Sequence, residues 1–301
     1  MGEAWLARKG DAPPVVLKRV LRGLAERKES LDRFIHEARV VARLQDPCIA
    51  RMLELGEVNG EWFIAMEYVE GGDLQSRIEN GPALTLDEVR RVALDGSAAL
   101  LAAHQARDAA GRITPVIHRD VSPHNLLMGV DGRVRLIDFG VASLTGEGES
   151  GGKYGYAAPE QLLEDVADPR SDQYSLGVVL WECLMGKPCF MAEEDVEVIR
   201  LVTEVGVPAL PTSVPEAWRS LVSKMTSLSP ADRFTSLHDV HEFPLPVGES
   251  VKVRGRSRRL SLLKDGMTLE EAEAVVGAAL LQSLFDSGQA RVEDGHVFKK
   301  S

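Results

Sequence analysis

The glycine pair Gly71-Gly72 separates two stretches of different hydrophobic period. Before it, short apolar and β-branched runs recur at Ala4 to Ala7, Val15-Val16-Leu17-Lys18 and Phe63-Ile64-Ala65-Met66, the last closing a pair of strands. A single amphipathic stretch, Leu31 to Leu44, interrupts them. Short runs of this kind predict strands, and apolar residues repeating every third or fourth position predict a helix. After the glycines the pattern is helical. Thr85-Leu86-Asp87-Glu88 forms a capping box, whose Thr and Glu side chains satisfy orphan amides and open a helix to about Gln105. Further helices are expected near Ser171 to Met185 and Glu216 to Met225, with a short strand at Val134-Arg135-Leu136-Ile137 after an Asp131-Gly132 turn. The fold class is therefore α+β and bilobal: a small β-rich N-lobe with one helix, residues 1–70, and a larger, mainly α C-lobe, residues 71–243.

Residues 244–266 shift toward Pro, Gly, Ser and Arg and read as a basic linker carrying Lys252, Arg254, Arg256, Arg258, Arg259 and Lys264. Residues 267–301 hold a second capping box, Thr268-Leu269-Glu270-Glu271, a helix to about Phe285 and a β-hairpin turning at Asp294-Gly295. An extension this small is expected to pack on the larger lobe. A net charge of −11 argues against a nucleic-acid partner, which needs excess Lys and Arg along one face. The three cysteines, Cys48, Cys183 and Cys189, form no closely spaced pair, which fits a reducing compartment. No apolar run approaches the roughly 20 residues that span a bilayer, and the start lacks a signal pattern, so the expectation is cytoplasmic with no membrane partner.

Three clusters carry chemistry. Asp120 and Asn125 lie five positions apart in His118-Arg119-Asp120-Val121-Ser122-Pro123-His124-Asn125, a spacing that lets one loop face a hydroxyl and a metal ion together. Asp138, in Asp138-Phe139-Gly140, follows the short strand and supplies a second hard oxygen ligand. With Ala158-Pro159-Glu160 in the same order and spacing, the chain resembles the eukaryotic-type (Hanks-type) serine/threonine protein kinases from about Gly2 to Phe243, and looks closest to bacterial members.

The resemblance implies a bilobal protein kinase fold, ATP and Mg2+ as cofactors, and phosphoryl transfer to Ser or Thr hydroxyls of a protein substrate in signalling. It implies Asp120 as the catalytic aspartate, Lys18 as the lysine on the α- and β-phosphates, and Glu37 as that lysine's partner. Asn125 and Asp138 would hold the metal. Met66 resembles the gatekeeper, the backbones of Glu67 and Val69 would bond the adenine edge, and Leu127 would lie beneath the ring. Asp73 either caps the next helix or binds ribose. Glu160 and Arg233 resemble the buried ion pair of the large lobe, and Asp172 the aspartate that braces the catalytic loop.

The sequence departs from the family pattern in three places. Gly2 aligns with the third glycine of the phosphate-covering G-x-G-x-x-G loop, so the first part of that loop is lacking. This leaves two explanations, a late start or truncation, and a weakly active kinase or nucleotide-binding pseudokinase that acts as a regulatory module. Ala4 and Val16 exchange the usual sizes of the two residues over adenine, a volume-conserving swap. Ser122 stands where the family has lysine, and Lys153 where it has threonine, which suggests that Lys153 neutralises γ-phosphate charge in the lysine's place. Arg119 resembles the arginine that gathers activation-segment phosphate. Ser143, Thr145, Ser150 and Ser261 are the autophosphorylation candidates, with Glu147 or Glu149 as a standing negative charge instead. His238 and His241 share a helix face without a third ligand, so no zinc site is expected.

Overall fold

The computed structural model describes residues 4–19, 35, 38, 41–59, 61–107, 110–139, 154–164, 166–246, 267–268, 290–293 and 296–299. Four antiparallel strands form the first sheet in the order β1-β2-β4-β3: β1 (Ala4–Ala7), β2 (Val15–Arg19), β3 (Met52–Val58) and β4 (Glu61–Glu67). Its register sets Lys18 opposite both Ala4 and Ile64, and Val16 opposite both Leu6 and Met66. Directly paired residues of antiparallel strands share a face, so Ala4, Val16, Lys18 and Met66 lie on one side of the sheet. Residues 35, 38 and 41 are helical within the amphipathic stretch.

A second sheet begins at the glycine pair, and of its three short strands only the last stands out in the sequence. Its order is β5 (Gly71–Asp73), β6 (Leu126–Gly129) and β7 (Val134–Leu136). Gly71 adopts φ 150°, and a Cβ there would meet the Met128 carbonyl oxygen at 2.0 Å, so the close strand approach requires glycine. Helix α1 (Leu74–Asn80) and helix α2 (Leu86–His104) come next, the latter with the Thr85–Glu88 capping box formed in both directions. Later helices are α3 (Pro159–Glu164), α4 (Pro169–Met185), α5 (Asp195–Arg200), α6 (Glu216–Met225) and α7 (Leu237–His241).

Helix α4 is the axis of the large lobe. Every residue from Ser171 to Leu184 is buried, and α2 and α6 pack against it. Such a helix has no solvated face, so its polar residues must find partners inside. Gln173 does so with both backbone groups of Phe234, and Ser175 with the Ser171 carbonyl. Its start is fixed by Asp168 as N-cap with Pro169 at the first turn, two residues earlier than the apolar pattern implied. In the extension, β9 (Ala290–Glu293) and β10 (His296–Lys299) pair as an antiparallel hairpin, with β8 (Met267–Thr268) added on the other side of β10. Thr268 is thus a strand residue, and the helix expected after it lies outside the described residues, as do residues 247–266 of the basic linker. No described helix is long and apolar enough to cross a membrane.

Candidate active site

The β6-β7 hairpin brings the first two clusters together. Leu126 pairs with Leu136, so the residues flanking that pair also meet, and Ile137 donates its amide to the Asn125 carbonyl at 2.9 Å. Asp138 is therefore one residue beyond a bond to the metal-type asparagine. The hairpin is pinned from the small lobe: Leu136 donates to the Cys48 carbonyl at 2.8 Å and accepts from the Ala50 amide at 3.1 Å. Asn125 donates its side-chain amide to the Asp120 carbonyl at 2.7 Å and to Asp120 Oδ2 at 3.1 Å. That use of Nδ2 leaves the Asn125 oxygen as its metal-type donor. Lys18 Nζ reaches across from β2 to Asp138 Oδ2 at 2.7 Å.

Two backbone conformations in this loop system are unusual. Arg119 has φ 65° and Asp138 φ 61°, both in the left-handed region that costs L-residues free energy. Asp172 of α4 holds the first of these turns by accepting from the amides of His118 at 2.8 Å and Arg119 at 2.9 Å. His118 in turn places Nε2 2.8 Å from the Ile137 carbonyl, next to Asp138, and its ring meets that of buried Phe139 edge-on at 4.8 Å. Backbone strain at both aspartate-bearing turns is thus held by one buried network.

The remaining sequence candidates divide clearly. Asp73 caps α1, with Oδ1 accepting from the Ser76 amide and Oδ2 from the Ser76 hydroxyl, both at 2.8 Å, which favours the capping alternative over ribose. Glu67 turns its carboxylate to Arg51 and its amide to the Arg51 carbonyl, while Val69 is buried. Leu127 sits on β6 opposite Asp73. Glu160 and Arg233 form a two-pronged pair at 2.7 and 2.8 Å with the Arg233 side chain fully buried. Burial opposes ionisation of Glu160, but bonds from Arg233 and Ser171 outweigh it and hold the carboxyl below its usual range. Gly2, Glu37, Gly140, Ser143, Thr145, Ser150, Lys153 and Ser261 lie outside the described residues. A cleft of about 680 Å3 lined by Asp46, Arg51, Glu67 and Arg135 shares Glu67 with the candidate site but includes none of Lys18, Asp120, Asn125 or Asp138.

Three residues of this system were not singled out from sequence. His104 places Nε2 2.7 Å from Asp172 Oδ2, Tyr156 donates its hydroxyl to Glu182 at 2.9 Å, and Glu182 also accepts from the Cys189 amide at 2.8 Å. For His104 and Glu182 the available signal was a polar residue inside an otherwise apolar helix pattern, whereas Tyr156 lies in a turn. His238 and His241 take no part, and no three His, Cys, Asp or Glu side chains group together as metal ligands among the described residues.

The protein kinase domain model matches residues 1–244. The tyrosine-protein kinase MasK of Myxococcus xanthus is 34% identical over 78% of this chain and 39% of its own length. The serine/threonine-protein kinase PknL of Mycobacterium tuberculosis is 36% identical over 73% of this chain and 56% of its own. This chain therefore spans about half or less of these relatives. The PknI kinase domain crystal structure from Mycobacterium tuberculosis superposes with a TM-score of 0.62 at 28% identity, covering 80% of this chain and 88% of that one. Together with the hairpin-borne aspartates and their buried brace, these matches show that the chain belongs to the protein kinase family.

Proposed function

We propose that this chain is an ATP-dependent protein serine/threonine kinase. The observation that carries the proposal is the convergence of Lys18 from β2, Asp120 and Asn125 from one loop and Asp138 from the end of β7, with the Lys18–Asp138 contact at 2.7 Å. The family uses ATP with Mg2+, and the donor set suits both, because an amide oxygen and a carboxylate are the hard ligands magnesium prefers and an ammonium complements phosphate oxygens. Bound at Asn125 and Asp138, Mg2+ would supply positive charge against the phosphates.

Asp120 aligns the acceptor hydroxyl and takes its proton as the hydroxyl oxygen bonds to the γ-phosphorus. The bond from that phosphorus to the β,γ-bridging oxygen breaks, and ADP leaves with the electron pair. Lys18 orients the α- and β-phosphates, while Ala4, Val16, Leu127 and the backbones of Glu67 and Val69 form the adenine site. Ser143, Thr145, Ser150 and Ser261 are the proposed self-modification sites.

Ser122-Pro123 favours serine and threonine acceptors, whereas the name of MasK keeps tyrosine as a second reading. The test is transfer from Mg-ATP to a generic protein substrate, with acid hydrolysis of the product to separate the three phosphoamino acids. Phosphoserine or phosphothreonine that vanishes in Asp120→Asn supports the proposal. Phosphotyrosine alone replaces it with the second reading, and transfer unaffected by Asp120→Asn overturns it. ATP binding without transfer would instead leave a nucleotide-binding regulatory module.

A further inference from the structure

The cleft of about 680 Å3 is walled by both lobes: Arg51 and Glu67 belong to the small one, Arg133 and Arg135 to the β6-β7 hairpin of the large one. Its three guanidinium groups are committed to different degrees. Arg135 is occupied, because both of its terminal nitrogens bond Asp131, at 3.0 and 2.6 Å. Arg51 uses its side chain only through Nε, 3.2 Å from Glu67 Oε2, and that side chain is 63% exposed. Its two terminal nitrogens are unbonded among the described residues. The Arg133 guanidinium pairs with no carboxylate among the described residues, and only its backbone amide is bound, to Asp131 Oδ1 at 3.1 Å. Against these arginines stand Glu67, Asp131 and Asp46, whose Oδ1 accepts from the Cys48 amide at 2.8 Å. Cations and carboxylates therefore balance, and the ligand is selected by the unused donors rather than by net charge.

Two forked cations with free donors, one from each lobe, suit an acceptor with more than two oxygens. A carboxylate fills one fork, as Asp131 does for Arg135, whereas a phosphate monoester brings three acceptor oxygens and serves both. The wall beside the arginines is apolar, with Pro47, Met52 and half-exposed Leu53, a surface that a bare phosphate ion leaves in water. We propose that this cleft binds a phosphorylated side chain of a peptide, with Arg51 and Arg133 on the phosphate and an apolar neighbour of that side chain against Met52 and Leu53. Arg51 can turn from Glu67 to the phosphate, since an exposed ion pair is weak and the field of Arg135 still reaches that carboxylate. Arg51 stands just before β3 and Arg133 just before β7, the strand that leads to Asp138. A phosphate shared by the two would tie the small lobe to the hairpin of the candidate active site. That consequence for catalysis rests on the kinase reading above, and the binding itself does not.

The test is fluorescence anisotropy of a short labelled alanine peptide in which phosphoserine stands between two leucines, titrated with the full chain. The phosphopeptide should bind at least about tenfold more tightly than its unphosphorylated form or its glutamate analogue, and inorganic phosphate should compete only at more than about tenfold higher concentration. Arg51→Ala and Arg133→Ala should each weaken phosphopeptide binding by at least about tenfold, while Lys18→Met and Arg119→Ala, which remove cations of the candidate active site, should change it by less than about twofold. Both cleft arginines are exposed, and an unchanged melting temperature shows that their variants remain folded. Absence of phosphopeptide binding, equal binding of the unphosphorylated peptide, equal competition by inorganic phosphate, or a loss in Lys18→Met or Arg119→Ala rather than in Arg133→Ala overturns the inference. No step requires turnover, so failed phosphotransfer leaves the inference standing, and failed binding beside intact transfer removes it alone.

Discussion

His104 and Asp172 meet inside the large lobe, with Nε2 2.7 Å from Oδ2 and both side chains almost fully shielded from water. The same oxygen accepts from the His118 amide, so α2 braces the catalytic loop through a residue of α4. His104 touches none of the reacting groups and acts by fixing Asp172. Removing a bond to a buried charged group costs about 1.5–3 kcal/mol, so His104→Ala should lower kcat by roughly 10- to 100-fold if that cost falls on loop geometry. KM for ATP should move little. Steady-state kinetics check this, and a kcat within about twofold of the parent at intact melting temperature would remove the brace from the mechanism.

The proposed site could be read from sequence because it rests on short contiguous strings, whereas its buried support could not. Asp120, Asn125 and Asp138 announce themselves by type and spacing, and the β6-β7 register then brings them together. His104 and Glu182 lie 68 and 26 positions from Asp172 and Tyr156, and no local pattern distinguishes a buried partner from a solvated one at that range. Strands β5 and β6 escaped for a related reason: Gly71-Gly72-Asp73 has the composition of a turn, and only its antiparallel partner makes it a strand. The helices from Leu86 and from Glu216 were read almost to the residue, because a capping box in the first and a clean amphipathic face in the second are local signals. Asp73 could not be assigned from sequence, since capping and ribose binding ask for the same side chain.

Arg233 has no solvent exposure and satisfies five acceptors: both Glu160 oxygens and the carbonyls of Arg170, Ser227 and Leu228. Its guanidinium also lies 4.9 Å from the Tyr174 ring centre. Arg233→Ala leaves the Glu160 carboxylate half-buried without its cation, so the expected loss is about 3–5 kcal/mol of stability, with Arg233→Lys recovering only part because ammonium cannot fork. Chemical denaturation measures it. A loss below about 1 kcal/mol would mean that water replaces the pair.

Stability should also report the Glu182 proton. Its folded-state value near 7 lies above the ordinary 4.5, so the folded protein holds the proton more tightly than the unfolded chain. The associated stabilisation is present below the unfolded value and is lost as pH rises through about 7. Glutamine carries no such charge, so the melting temperature of Glu182→Gln relative to the parent should climb between pH 6 and pH 8. The gain is on the order of 1 kcal/mol per pH unit as pH rises toward the folded value and levels off above it. A difference that stays flat over that interval would mean that Glu182 does not titrate there.

Ser122 is 4% exposed and its carbonyl accepts from the Asn125 amide at 3.0 Å, so the position beside Asp120 is enclosed and carries no charge. Phosphoryl transfer needs positive charge at the γ-phosphate beyond what Lys18 provides in the proposed mechanism, where it contacts Asp138 and would hold the inner phosphates. Lys153 is the proposed source. Losing a preorganised donor to transition-state charge typically costs about 100- to 1,000-fold in rate, so Lys153→Met should reduce single-turnover transfer by that order while leaving ATP affinity within a few fold. The converse variant, Ser122→Lys in the Lys153→Met background, should restore part of the rate if the two positions serve one contact. Rapid-quench measurement of the first turnover decides between them: near-parent transfer by Lys153→Met alone would show that the charge comes from elsewhere, and failure of Ser122→Lys to rescue a slow Lys153→Met would separate the two positions.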